Sequence, residues 1–191
     1  MRQMWENEEY FSHNGKYFTI KDFFLYTKPK TKISIYFAAQ GRKAASYAGI
    51  FGDHLVTVNS PEICKNVVFP SFNQSAKKIG KDPSKMEKMV EILLHFSNKK
   101  KGINQVRRSG EAGFFSEGSV NETDPRKIQE LALKVKNKTI LANFCFVNSP
   151  DDIIEAIEKY RRAGASDVKL VTHSFPKRIA FTGKKVLPYY S

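Results

Sequence analysis

IYFAAQGRKAASYAGIFGDHLVTV, residues Ile35 to Val58, is the stretch on which the fold turns. Ile33 to Ala38 is a short apolar, β-prone run. Gly41 breaks it, and Arg42 to Phe51 reads as a helix carrying Ala44, Ala45, Tyr47 and Ala48. Gly52-Asp53-His54 then stops the helix and opens a second strand, Leu55 to Val58. Strand, glycine turn, helix and strand make a βαβ unit, which requires a parallel pairing.

The alternation continues toward the C-terminus. Pro61 to Ile79 is mostly helical, with an interruption expected near Pro70 and a stop at Gly80. Met89 to Phe96 is apolar almost throughout, as a strand covered on both faces should be. From about Ser97 to Asn121 the chain is polar and basic and reads as irregular. Asp124 is an N-cap with Pro125 in the first turn of a helix to about Val135. Phe144 to Val147 is extended, and Ser149-Pro150 with Asp152 forms a capping box that starts another helix. Ile153, Ile154, Ile157 and Tyr160 share one face of it, Gly164 ends it, and Val168 to Thr172 is the fourth strand. A short helix with Ile179, Ala180 and Phe181 closes the pattern.

Toward the N-terminus, Met1 to Tyr26 reads as the tail of a helix and a hairpin. Asn14-Gly15 is the turn signal, between Tyr10-Phe11 and Tyr17-Phe18. Residues 1–32 form a lead-in to a single domain, 1–191. Repeated strand–helix alternation specifies an α/β fold with a parallel sheet. A length of 191 residues falls short of the roughly 250 of a full eight-stranded barrel. A small doubly wound sheet and part of a barrel both fit the pattern.

No apolar run reaches the roughly 18 residues of a membrane span, and the charged start is no signal peptide, so a cytoplasmic location is expected. Cys64 and Cys145 form no CxxC pair, and neither a metal site nor a disulfide framework is indicated. The net charge of +13 attracts polyanions. A solvated lysine surface accounts for it too, since the lysines are spread along the chain. The one dense cluster, Lys99-Lys100-Lys101 with Arg107-Arg108, lacks the aromatic interleaving of single-strand binding. Nucleic acid is therefore not the expected partner. No Walker loop, HExxH motif or GxGxxG is present.

The opening segment resembles the signature of the luciferase-like family, in its deazaflavin-dependent dehydrogenase branch. Trp5 to Pro29 is similar to the family's helix–hairpin lead-in, and Ala76 to Ser97 to its helix-to-strand passage. VNSPDDIIEAIEKYRRAGASDVKLV, from Val147, is similar to its last βα unit, and Val186-Leu187-Pro188 to its close. Together these pieces cover about three quarters of the chain, leaving Lys99 to Leu141 unmatched. The resemblance implies a partial (β/α)8 barrel of about four C-terminal βα units, with the first four strands absent. It implies hydride transfer between coenzyme F-420 and an organic small-molecule substrate, with FMN the nearest variant cofactor. Most cofactor-lining and proton-transfer positions of the family belong to the absent half. A catalytically silent half-barrel with a structural or partner-binding role is the other expectation. Either reading anticipates a homo-oligomer or a separate N-terminal half.

Ala38-Ala39-Gln40-Gly41-Arg42-Lys43 is the expected cofactor-binding turn. A helix N-terminus offers free N–H groups and a positive dipole end to an anion. The resemblance places the cofactor's phosphate-bearing arm there, although Gln40 and Arg42 depart from the family's small residue and proline. Asn59, Ser97, Asn98, His173 and Ser174 stand at C-terminal ends of strands, where barrel active sites lie. Of these, Asn59 and Ser97 are the substrate candidates, and His173 the candidate proton donor. His95 reads as buried scaffold and His13 as turn surface. The glucose-6-phosphate dehydrogenases of the branch have a threonine and, three residues on, a lysine where this chain has Val58 and Pro61. That substrate is disfavoured.

Overall fold

The computed structural model describes residues 1–172 and 176–190. The chain falls into two compact units, Met1–Ser34 and the remainder from Ile35. The first holds a short helix α1 (Arg2–Glu6) and an antiparallel hairpin of β1 (Phe11–Asn14) and β2 (Thr19–Phe23). Aromatic rings hold it together. Phe11 meets Phe23 edge-on across the strands, and Phe24 stacks on Tyr10 with its centroid 5.2 Å away. His13 lies within β1 rather than in the turn.

The second unit is a five-stranded parallel sheet: β3 (Tyr36–Ala38), β4 (His54–Thr57), β5 (Lys88–Phe96), β6 (Cys145–Val147) and β7 (Asp167–Thr172). Every pairing within it is parallel. β5 is its axis. β4 pairs along Lys88–Val90, β7 along Met89–Leu94 and β6 along Leu94–Phe96. Both β4 and β6 share paired residues of β5 with β7, so they must occupy the opposite edge from it. They stand end to end there, with Glu91–Leu93 between them.

Helices α2 (Arg42–Phe51), α4 (Phe69–Lys78) and α8 (Pro150–Ala163) cover one face of the sheet, joined there by Cys64 and Val68 from the turn that follows the short α3 (Pro61–Ile63). Val90, Ile92 and Leu94 of β5 enter this core with Leu55, Phe72 and Ile153. Leu93, one residue out of phase, points the other way. It packs on a second cluster built by α5 (Lys99–Arg108), α6 (Pro125–Lys134) and α7 (Asn137–Asn143). Gly164 ends α8 at φ 101°, a left-handed cap that glycine adopts without steric cost.

Two sequence readings are corrected. The stretch after Ser97 is not irregular at its start: Asn98 caps α5 by accepting from the Lys101 amide, and Ile103 and Val106 face the second cluster. The interruption expected in the helix after Pro61 is present, though it does not fall at Pro70 itself. A π turn, Cys64–Val68, joins α3 to α4 just before it. The wider turn leaves room for the proline ring and absorbs its missing donor.

Candidate functional site

β3 and β4 deliver their C-terminal ends to one edge of the sheet. Ala38 ends β3, and the buried Ala39 still donates its amide to the Val56 carbonyl at 3.0 Å. Gln40 and Gly41 are exposed, and α2 starts on Gly41 with no side-chain cap. Helices α5, α6 and α8, by contrast, begin on Asn98, Asp124 and Ser149, whose side chains accept first-turn amides. The first-turn N–H groups of α2 therefore have no acceptor inside the helix. No acidic residue stands in that turn, and Arg42 and Lys43 are both exposed. A β-carbon added at Gly41 would meet nothing within 4 Å. The turn is open to an anion, and its donors and charges have the right sign.

Asn59 braces this turn from below. Its side-chain amide donates to the Gln40 carbonyl at 2.7 Å and to Thr57 Oγ1 at 3.0 Å. Its own carbonyl accepts from the Cys64 thiol at 3.4 Å. Burial pushes that thiol up to about 12, so it stays a donor at neutral pH. Sequence reasoning placed Asn59 near the substrate, and the structure shows its side chain holding the backbone of the glycine turn. Gln40 and Asn59 are 19 positions apart, and no local pattern announces their contact.

Ser97 follows β5 at the same edge. It is nearly buried, and its hydroxyl finds no hydrogen-bond partner among the described residues. Asn98 serves as the α5 cap. His95 is half buried against the Phe146 ring, 5.6 Å between centroids. His173 and Ser174 lie outside the described residues. Among the described residues no cluster of His, Cys, Asp and Glu is fit to hold a metal, and no helix is long and apolar enough to cross a membrane.

The residues present fit a phosphate-bearing cofactor. The α2 amides with Arg42 and Lys43 would hold its anionic arm, and the open face of Gly41 leaves space for it. The luciferase-like monooxygenase family model matches residues 1–167. The coenzyme F-420-dependent glucose-6-phosphate dehydrogenase of Segniliparus rotundus is 27% identical over 177 residues, 91% of this chain and 52% of that protein. The coenzyme F-420-dependent hydroxymycolic acid dehydrogenase of Mycobacterium tuberculosis is 28% identical over 86% of this chain and 44% of its own length. Among solved structures, a coenzyme F-420-dependent secondary alcohol dehydrogenase, in complex with an F-420–acetone adduct, superposes with a TM-score of 0.84. It is 34% identical, over 98% of this chain and 58% of that one. The tetrahydromethanopterin reductase of Methanopyrus kandleri, at 19% identity and a TM-score of 0.73, shares the fold. The chain thus spans about half the length of the relatives it matches. On the match over 1–167 and the shared parallel α/β architecture, it belongs to the luciferase-like monooxygenase family.

Proposed function

We propose that this chain forms the second half of a luciferase-like (β/α)8 barrel and contributes the coenzyme F-420 phosphate site of a cytoplasmic oxidoreductase. The uncapped, glycine-started α2 at the C-terminal edge of a parallel sheet carries this reading, with Arg42 and Lys43 in its first turn. The similarity to coenzyme F-420-dependent dehydrogenases supports the choice of cofactor. FMN is the nearest variant. When bound, the deazaflavin supplies hydride exchange with an organic substrate. The chain's own work is binding and orientation. The α2 amides and two cations hold the anionic arm, while the Cys64–Asn59–Gln40 relay of hydrogen bonds keeps the turn from shifting. Ser97, with an unused hydroxyl at the same edge, is a substrate-facing candidate, and Asn59 acts through the turn. Val58 and Pro61 stand where a sugar-phosphate site of this branch would need threonine and lysine, which disfavours glucose 6-phosphate.

The rest of the barrel would come from another stretch of polypeptide. A second reading, a catalytically silent half-barrel that binds a partner, is favoured by the sheet edges. Among the described residues β3 pairs only with β4, and β7 only with β5.

Titration with coenzyme F-420 and with FMN, with and without a candidate first-half protein, tests both. Deazaflavin binding should weaken roughly 10–100-fold in Arg42→Glu, since one charge-assisted phosphate contact is worth about 1.5–3 kcal/mol. Absence of binding to either cofactor under both conditions would reject the enzymatic reading and leave the silent one.

A further inference from the structure

The end-to-end placement of β4 and β6 on one edge of β5 leaves a notch in the sheet. On that edge no strand among the described residues pairs with Glu91–Leu93. A cavity of about 390 Å³ opens there, bounded by the start of α3, by β6 and by the flank of α8. Its size lies at the lower end of small-molecule sites, roughly 300–1,000 Å³.

Its walls divide by chemistry. Leu93, Leu141, Phe144 and Ala156 supply an apolar body. Three of the charged groups at its rim are already engaged. Glu91 pairs with Lys169 at 2.7 Å, Glu155 pairs with Lys159 at 2.7 Å, and Asp152 accepts the Asn148 and Ser149 amides in the capping box. Lys99 is different. It is exposed, and among the described residues no carboxylate lies within ion-pair distance of it. Tyr160 brings a phenol to the same cavity, and burial holds its proton well beyond the ordinary tyrosine range. A cation with no ion-pair partner, its charge felt by Asp152 only at longer range, and a phenol that keeps its proton to donate stand beside an apolar wall and suit an anionic amphipathic guest.

We infer that the notch beside Glu91–Leu93 binds a small amphipathic carboxylate, its apolar body on Leu93, Leu141 and Phe144 and its carboxylate on Lys99 and Tyr160. The site does not rest on the deazaflavin reading, and its test contains no cofactor.

Cys145 lines the cavity, whereas Cys64 is fully buried and does not line it, so a bound guest is readable as protection of one thiol. The protein is treated with iodoacetamide at mildly alkaline pH, and both thiols are followed by mass spectrometry. Phenylacetate and its uncharged counterpart phenylacetamide are the probes, with binding measured in parallel by calorimetry. Cys145 should react faster than Cys64, and phenylacetate should slow it in a saturable way. Phenylacetamide and the Lys99→Met variant should each raise the half-protecting concentration roughly tenfold, the worth of one charge-assisted bond. Lys99→Arg should restore protection, and Gly41→Asp, which damages the glycine turn, should leave it unchanged. Cys145 reacting no faster than Cys64, no protection up to the solubility limit, or equal protection by the amide would each overturn the proposal.

Discussion

Lys81 shows how a single side chain can finish an element that lies far from it in sequence. Its ammonium donates to the carbonyls of Gly49, Ile50 and Gly52, at 3.3, 2.8 and 2.8 Å. These are end groups of α2, a helix with no basic residue in its own last turn. A cation there satisfies orphan carbonyls and opposes the negative dipole end. Lys81→Met keeps the stem and removes the charge, and should cost about 1–2 kcal/mol. The urea midpoint should fall with the slope unchanged, and an unshifted midpoint would discard the capping role. Asp152 works at the opposite end of a helix. The Asn148 and Ser149 amides hold its carboxyl below the ordinary aspartate value of 3.8. A depressed folded-state pKa means stability that is present above the unfolded value and lost as pH falls through the folded one. Asp152→Ala should therefore cost about 1 kcal/mol at neutral pH. The gap to the parent should close below pH 3.8, and acid unfolding curves followed by circular dichroism check it. Ser149 with Asp152, Asp124 and Gly41 were legible in the sequence because caps and turns are written within three or four residues. Lys81 and Asn59 were not, since their partners stand 29–32 and 19 positions away.

Elements were legible where local signals and burial agree. Four strands of the parallel sheet followed from short apolar runs, and the alternation carried the α/β class; Phe144 to Val147 was legible only as extended, and the structure makes Cys145–Val147 a fifth strand. The lysines at the head of α5 oppose its dipole, and Gly102 and Asn104 behind them lower helix propensity; together they hid that helix. Tertiary contact overrides propensity here: Gly102 lies flat against Phe146, and a β-carbon would sit 2.3 Å from its ring. The same logic governs the α2–α4 packing, which sets the position of the glycine turn. A β-carbon on Gly49 would come 2.4 Å from the Phe72 carbonyl oxygen, a backbone atom that cannot rotate away. Gly49→Ala should lose about 1–3 kcal/mol despite alanine's better helix propensity. Gly183 in α9 (Pro176–Lys185) meets nothing within 4 Å, so Gly183→Ala should gain about 0.5–1 kcal/mol. Thermal melts of the pair separate packing from propensity. Two shifts of the same sign would contradict this account of α2 and α4.

At the scale of the whole molecule, two sheet edges and a large charge pull in different directions. Among the described residues β3 and β7 each have one strand partner. Their free edges present unpaired amides and carbonyls that favour a further strand. The chain also carries +13, and like charge opposes the meeting of two copies. These terms respond oppositely to salt. Edge pairing between copies is held back by repulsion, so screening should promote it. A complementary first half of acidic balance would be drawn in at low salt and released as the Debye length shrinks from about 30 Å at 0.01 M to about 3 Å at 1 M. Sedimentation velocity of the isolated chain at those two salt levels should show association that grows with salt. Adding a candidate first half should replace it with a one-to-one complex that is tightest at low salt. A chain that remains monomeric and soluble at both salt levels and at high concentration would mean that the β3 and β7 edges are not sites of strand addition. The partial-barrel reading would then lose its physical basis, whatever the glycine turn binds.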